Sequence, residues 1–363
     1  MLNVCLRVPR RRGQHLEQLL IGFCRLAHRR DVKVDFHTMS SAEEAAGADL
    51  AAVLNGRWRI LYDVKDGYGF YSGGKNVYRE VMNRLLDGCD FYFKRSCRPS
   101  FNEGLKEPQK VLPLGLNLGY TVLSVKDSAK FFIKRLLYID GGPTRPVDVE
   151  MLPMFGTTPI VIFLTRVWDP DDIDDFRDED ITAIQNQRIQ INEMRAACIR
   201  ACRSALGPQF IGGLADTPCA RRQFPDCIVS DQKSTLRSRY IQLMKQSSIG
   251  IASTGLHDSI GWKFAEYVAA AKAIVSEPLL VSVPGSFAKG KNYLEYNNTE
   301  DCVNAVLRLL KDEGLRCQIM KNNFEYYRSS LEPSQLVLNS LLLVLARVHG
   351  LDHDRCQMAA IEK

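Results

Sequence analysis

The chain has 363 residues, 45% hydrophobic and 25% charged, with 48 Lys/Arg against 42 Asp/Glu and a net charge of +6. These figures exclude a disordered or low-complexity polypeptide and leave room for two domains, each with its own core. No apolar run reaches the roughly 18 residues of a spanning helix, and the basic residues Arg7, Arg10, Arg11 and Arg12 precede no uninterrupted apolar segment, so a cytoplasmic protein without a secretory signal is expected.

In chain order, residues 2–8 read as a short strand and 14–28 as a helix, with Leu16, Leu19, Leu20, Phe23, Leu26 and Ala27 at three-and-four spacing. Residues 32–36, 60–64 and 90–94 read as strands, and 77–86 as a helix between the last two. Residues 110–118 read as a strand ending in a turn. The stretch 140–159 concentrates Gly141, Gly142, Pro143, Pro146, Pro153, Gly156 and Pro159, which marks it as the linker. After it the alternation restarts: strand 160–165, helix 181–206, strand 209–211, helix 236–246, strand 249–252 and strand 273–275. Helices 302–310 and 315–328 follow, and after Pro333 comes a strongly apolar helix over 334–348. Alternating strands and helices of these lengths predict an α/β fold with parallel sheets and crossover helices. The predicted division is a Rossmann-like domain over 1–155, a second over 156–332, and a C-terminal segment over 333–363.

The eleven cysteines show no C-x-x-C pair or repeated spacing, which points to reduced, buried thiols. Residues 1–155 hold 24 Lys/Arg against 17 Asp/Glu, and the remainder 24 against 25. A basic first half suits an anionic partner, either a membrane surface touched peripherally or a phosphate-bearing acceptor. The acidic run Asp169 to Asp180 reads as a solvated loop rather than a metal site. The phosphate-loop, nucleophile-elbow and zinc-protease patterns are missing, as is any basic stripe interleaved with aromatics, so nucleic-acid binding is not expected.

The most informative stretch runs from residue 249 to 296. A buried strand enters a small-residue turn, then a helix carrying Glu266, then a second strand. This is how open α/β sheets aim backbone N–H groups at a phosphate. The order Gly255, His257, Asp258, Gly261, Lys263, Glu266, followed by AAAKAIVSEPL, resembles the nucleotide-sugar half of GT-B glycosyltransferases. FLTRVWDP, DFYFKRS and VLPLGLN look similar to bacterial or viral transferases that build surface polysaccharides.

The resemblance implies a GT-B fold, with two Rossmann-like parallel-sheet domains facing each other across a cleft and the last helix crossing back to the first domain. It implies transfer of a sugar from a nucleotide-sugar donor to a hydroxyl of a glycan or lipid-linked acceptor, without a metal or other cofactor. Asp258 and Glu266, seven residues between them, resemble the paired acids of retaining members, with Asp in the first place; Glu266 would bond the donor ribose and Asp258 lie near the transferred sugar. Arg166, Lys233 and Lys263 would neutralise the diphosphate, and Gly255, His257 and Gly261 would line the donor loop. In the first domain, His15 stands where inverting members often carry their acceptor base. Asp63 and Asp66 end a strand in a Gly-containing loop and read as a base, an acceptor ligand or turn residues, and Lys94 and Arg95 as ligands of an anionic acceptor or ordinary strand-end charges. The acid pair tilts the expectation toward retention, and His15 keeps inversion open. The alternatives are a nucleotide-sugar 2-epimerase of the same fold and a homologue that binds nucleotide or glycan without turnover.

Overall fold

The computed structural model describes residues 1–10, 13–41, 47, 49–68, 74–121, 144–172 and 181–351. Arg11, Arg12, the Gly141–Pro143 part of the expected linker and residues 173–180 of the acidic run lie outside them. The strands are β1 (Leu2–Val8), β2 (Val32–Thr38), β3 (Leu50–Leu54), β4 (Trp58–Asp63), β5 (Phe91–Lys94), β6 (Val111–Pro113), β7 (Val161–Thr165), β8 (Phe210–Leu214), β9 (Ile249–Ala252), β10 (Ala273–Ser276) and β11 (Leu294–Glu295). The longer helices are α1 (Glu17–Arg29), α2 (Gly74–Asp87), α3 (Ile181–Leu206), α4 (Arg237–Gln246), α5 (Trp262–Ala269), α6 (Thr299–Lys311), α7 (Glu313–Tyr326) and α8 (Pro333–Val348). They group into two compact units. One comprises Met1–Val122, Val281–Gly285 and Arg328–Lys363, the other Leu123–Leu280 and Ser286–Tyr327.

The first unit is built on a sheet of order β2-β1-β3-β4-β5-β6. It is not parallel throughout, as the sequence had implied: β3 runs antiparallel to both β1 and β4. The cause is local. Asn55 and Gly56 both take positive φ (53° and 67°), and Arg57 N–H donates to the Leu54 carbonyl at 3.1 Å. A tight turn with two left-handed centres matches the strand twist, and Asn-Gly is the pair that adopts it most readily.

Leu19, Leu20, Phe23 and Leu26 of α1 enter the same core as Leu336, Val337, Leu341 and Val344 of α8. That packing accounts for the apolarity of α8. No single helix among the described residues is long and apolar enough to cross a membrane. The helices meet at Gly22, where a Cβ would stand 2.2 Å from the Pro333 carbonyl oxygen and 2.7 Å from Val337 Cγ2. Buried Gln18 ties this contact to the segment after β6: it accepts from Leu118 N–H at 2.9 Å and donates to the Leu331 carbonyl at 2.8 Å. The stretch 281–285 also belongs here, with Ser282 N–H donating to the Cys97 carbonyl at 2.8 Å, a return of the chain that no sequence pattern announced.

The second unit holds a sheet of order β11-β10-β9-β7-β8 in which each pair is parallel. A glycine at 250 lets the Tyr267 ring of α5 lie on β9, since a Cβ there would come within 2.6 Å of the ring. Residues 144–151, assigned by the sequence to the first domain, are bonded within this unit. Arg237 Nε donates to Thr144 Oγ1 at 3.0 Å, Met151 N–H to the Ala269 carbonyl at 3.2 Å, and Tyr327 Oη to Glu150 at 2.6 Å. The described prolines and glycines that suggested a linker, from Pro146 to Pro159, therefore fall inside the second unit. None of the cysteines among the described residues forms a disulfide.

Gly22→Ala should lower stability by about 1–3 kcal/mol, because the α1–α8 contact has no space for a methyl group. Urea unfolding checks this. A variant as stable as the parent would show that the two helices can separate without loss.

Candidate functional site

Strands β7, β9 and β10 of the second sheet end together, at Thr165, Ala252 and Ser276. The carboxyl ends of parallel strands are where open α/β sheets meet their ligands. Arg166 follows β7, Ser253 and Thr254 follow β9, and Glu277 follows β10. Arg195, reaching from α3 and buried, joins the first two of these strand ends. Its Nε donates to Ser253 Oγ at 2.9 Å, and its two terminal nitrogens donate to the carbonyls of Arg166 (2.6 Å) and Thr254 (3.1 Å). The third is reached through Thr254, whose N–H donates to Glu277 Oε2 at 2.7 Å. Burial pulls the Arg195 pKa down to about 10, although the Glu277 carboxylate opposes this.

From Thr254 the chain makes a closed loop. Gly255 N–H donates to the Ser259 carbonyl at 2.9 Å and Ser259 N–H to the Leu256 carbonyl at 3.2 Å. His257 and Asp258 at its tip both hold left-handed backbone, φ 57° and 56°. That conformation disfavours a side chain by roughly 1–2 kcal/mol per residue. Gln187 of α3 steadies it: its Oε1 accepts from His257 N–H at 2.9 Å and its Nε2 donates to Asp258 Oδ1 at 3.0 Å. Gly255 has a steric reason, since a Cβ would lie 2.7 Å from Ser259 Oγ, while a Cβ at Gly261 would meet nothing. Gly261 is the N-cap of α5 and makes no side-chain cap; the start of a helix is a place that suits an anion.

Glu266 lies one turn into α5 and is 1% exposed. Its Oε1 pairs with Arg237 at 2.7 Å, and its Oε2 is buried without a hydrogen-bond partner. The Tyr240 hydroxyl is close enough to feel this carboxylate, and burial together with that charge lifts its pKa well above the usual value; no hydrogen bond of normal geometry joins the two. Lys263 lies over the Tyr240 ring, 4.2 Å from its centre. Burial lowers its pKa to about 8 against the pull of Glu266, and the charges of Arg237, Arg195 and Arg166 add to the lowering. Arg166 is exposed and stacked on Trp168 at 4.2 Å. Asn192 grips the Trp168 backbone, with N–H to Oδ1 at 2.9 Å and Nδ2 to the carbonyl at 2.6 Å. Four cations thus share this edge with two carboxylates, an arrangement suited to a multiply charged anion.

Of the residues expected to bind the donor, Arg166, Lys263 and Glu266 are brought together here, with Gly261 at the helix start. Asp258 is held by Gln187 and Glu266 by Arg237, so the two acids of the spaced pair have different partners. Lys233 stands exposed on the Gln232–Thr235 turn; the cation that reaches Glu266 is Arg237, four residues on. Sequence reasoning missed Arg195, Arg237 and Glu277. Glu277 was within reach, because it directly follows a strand whose end lies at the site. The two arginines sit on helices without any local pattern.

In the first unit, His15 and Asp66 are brought together by Arg95. One Arg95 nitrogen lies 2.6 Å from His15 Nδ1 and 3.0 Å from Asp66 Oδ1. Asn117 Nδ2 donates to the His15 carbonyl at 2.9 Å. Asp63 and Lys94 turn out to be interior groups. They pair at 2.8 Å with Lys94 0% exposed, and Tyr92 Oη donates to the same Asp63 oxygen at 2.6 Å. Burial alone would raise the Asp63 pKa, yet Lys94 and Lys65 with these hydrogen bonds hold it below the usual range. A lysine so enclosed is not available to an acceptor. Among the described residues, no group of three or more His, Cys, Asp or Glu side chains is arranged to hold a metal ion.

The molecule is therefore an α/β protein of two Rossmann-like units, the composition of the GT-B fold. No family model and no curated protein matches the chain. Among solved structures it is similar to Anabaena HepE in complex with UDP-glucose, at 11% identity over 94% of this chain and 100% of that one, with a TM-score of 0.48. A UDP-N-acetylglucosamine 2-epimerase from Listeria monocytogenes is similar at 10% identity, covering 96% and 97%, with a TM-score of 0.44. MnaA from S. aureus in complex with UDP is similar at 10% identity, covering 94% and 96%, also at 0.44. Likenesses at this level fix no residue correspondence.

Arg237→Met should destabilise the protein by about 3 kcal/mol, because it leaves a buried carboxylate without its cation. Arg237→Met with Glu266→Leu should recover most of that loss, as urea midpoints would show. Equal stability of the single variant and the parent would mean that the pair carries no such constraint.

Proposed function

We propose that the protein is a glycosyltransferase that takes a sugar from a nucleotide-sugar donor and gives it to a hydroxyl of a glycan or lipid-linked acceptor. The observation that carries this reading is the group of Arg166, Arg195, Arg237 and Lys263 at the carboxyl ends of β7, β9 and β10, beside the start of α5. A diphosphate satisfies both features at once, since it accepts helix-end N–H groups and neutralises surplus cations. In the reaction the bond from the anomeric carbon to the diphosphate oxygen breaks and negative charge grows on the leaving group. Fixed cations aimed at that charge stabilise the transition state more than the ground state. Lys263 can also hold or give a proton, since its pKa of about 8 lies near neutrality.

Retention of anomeric configuration is favoured, because the acids of the resembling motif, Asp258 and Glu266, are both present. A second reading, binding without turnover, draws support from Glu266 itself: its carboxylate is buried and already paired with Arg237, so Arg237 must move before Glu266 can take donor hydroxyls. Membrane contact through the basic first unit belongs to the same proposal, as a means of reaching a lipid-linked acceptor.

A thermal-shift screen of UDP-, GDP-, CMP- and dTDP-sugars tests donor binding. A ligand at 100 times its dissociation constant should add about 2.7 kcal/mol of stability. A shift with one nucleotide class that is lost in Glu266→Ala supports the reading; no shift with any of the four removes it. Incubation of the bound donor with candidate acceptors then separates transfer from release of a free epimer and from unaltered donor.

Affinity for the matching nucleoside diphosphate should hold steady up to about pH 7 and fall as pH rises through 8. Over that interval Lys263, protonated below its pKa of about 8, gives up its charge. Lys263→Met should bind more weakly and lose this pH dependence in calorimetric titrations. A pH-independent affinity in the parent would place the phosphate elsewhere.

A further inference from the structure

The first unit contains a polar cluster whose direction can be read from its donors. Arg95 leaves the end of β5 with its side chain buried to 5% exposure. One of its terminal nitrogens donates to the Val64 carbonyl at 3.5 Å and lies 2.6 Å from His15 Nδ1; it also forms an ion pair with Asp66 Oδ1 at 3.0 Å, without hydrogen-bond geometry. A guanidinium has only N–H donors and keeps its proton in proteins. The His15 nitrogen facing it must therefore accept, and a neutral imidazole that accepts at Nδ1 carries its proton on Nε2. Asn117 closes the other side. Its Nδ2 donates to the His15 carbonyl at 2.9 Å, and its side chain acts to raise the His15 pKa.

We propose that Arg95 is a positioning residue which fixes His15 in the Nε2–H tautomer, so that the imidazole gives a hydrogen bond and does not take a proton. In the sequence, His15 at the start of a helix reads as a base for an acceptor hydroxyl. The geometry gives it the opposite polarity. Protonating Nδ1 would turn two donors toward each other across 2.6 Å and add a second positive charge beside a buried guanidinium. The charged groups facing His15 are Arg95 and Asp66; Asp66, 27% exposed, neutralises Arg95 and so keeps the arginine in place. Burial and then Arg95 push the His15 pKa below its ordinary value, with Asp66 and Asn117 opposing.

This inference deepens the transferase reading and, for its functional consequence, rests on it. An imidazole that cannot accept a proton removes His15 as the base of an inverting displacement. The geometry of the cluster does not depend on that reading, so the two can fail separately.

The test is nitrogen-15 NMR of the histidine side chains in the full-length protein, with the His15 resonances assigned by comparison with His15→Gln. The parent should show the neutral Nε2–H form at neutral pH and keep it to lower pH than an ordinary histidine does, because burial and Arg95 lower its pKa. Arg95→Lys, which keeps a cation and a donor, should retain that tautomer. Arg95→Met should let His15 titrate closer to the ordinary histidine value of about 6.5. A parent His15 that is cationic at neutral pH, or protonated at Nδ1 when neutral, overturns the proposal. The parent spectrum decides this even if Arg95→Met does not fold. If donor binding fails while the tautomer is as stated, the transferase reading falls and the role of Arg95 stands. If transfer occurs with inversion and its pH profile follows the titration of His15, the positioning role is wrong.

Discussion

Much of the second unit's site depends on where one guanidinium is placed. Arg195 lies among side chains that give it little access to water, and its three nitrogens end on three oxygens contributed by the chain just after β7 and β9. A buried cation must be bonded in full or it destabilises the fold. The strand ends are therefore held where they satisfy it. Thr254, which gives its carbonyl to Arg195, gives its N–H to Glu277, and the position of β10's exit follows. The loop to α5, the helix start at Gly261 and the side chains of Lys263 and Glu266 are all placed from this frame.

Such a frame stores positive charge in a region of low polarity. Burial pulls Lys263 to a pKa of about 8 and Arg195 to about 10, and the repulsion of neighbouring cations adds to the lowering at both. An anion that enters relieves that repulsion while meeting donors already fixed in direction, so little ordering remains to be done on binding. The left-handed tip at His257 and Asp258 belongs to the same economy of structure. Two residues in unfavourable backbone are kept there by one glutamine side chain, and strain held by a specific partner tends to mark functional loops.

The sequence was most legible where periodicity is strong. The long helix over 181–206, the apolar helix of the C-terminus and the strand at 2–8 stand close to where their patterns placed them, because burial on one face writes a repeat into the residues. It was least legible where a contact is distant in sequence. Nothing near Arg195 or Arg237 distinguishes them from surface charges, and their partners lie 29 to 93 residues away along the chain. The antiparallel β3 was a missed local signal, Asn55-Gly56 between two apolar runs. Asp63, Lys94 and Arg95 read as strand-end charges, yet the first two form a buried pair and the third a buried anchor for His15. Residue type was visible there; burial was not.

The central claim is that the strand ends around Arg195 and the start of α5 form the seat of a nucleoside diphosphate. Amide hydrogen exchange resolved to short peptides, with and without a nucleoside diphosphate, tests it most directly. The account predicts that the ligand slows exchange in 253–264 and around Arg166, with little change in the core strands, which are already protected. Binding that leaves 253–264 unaffected while protecting other segments would contradict it.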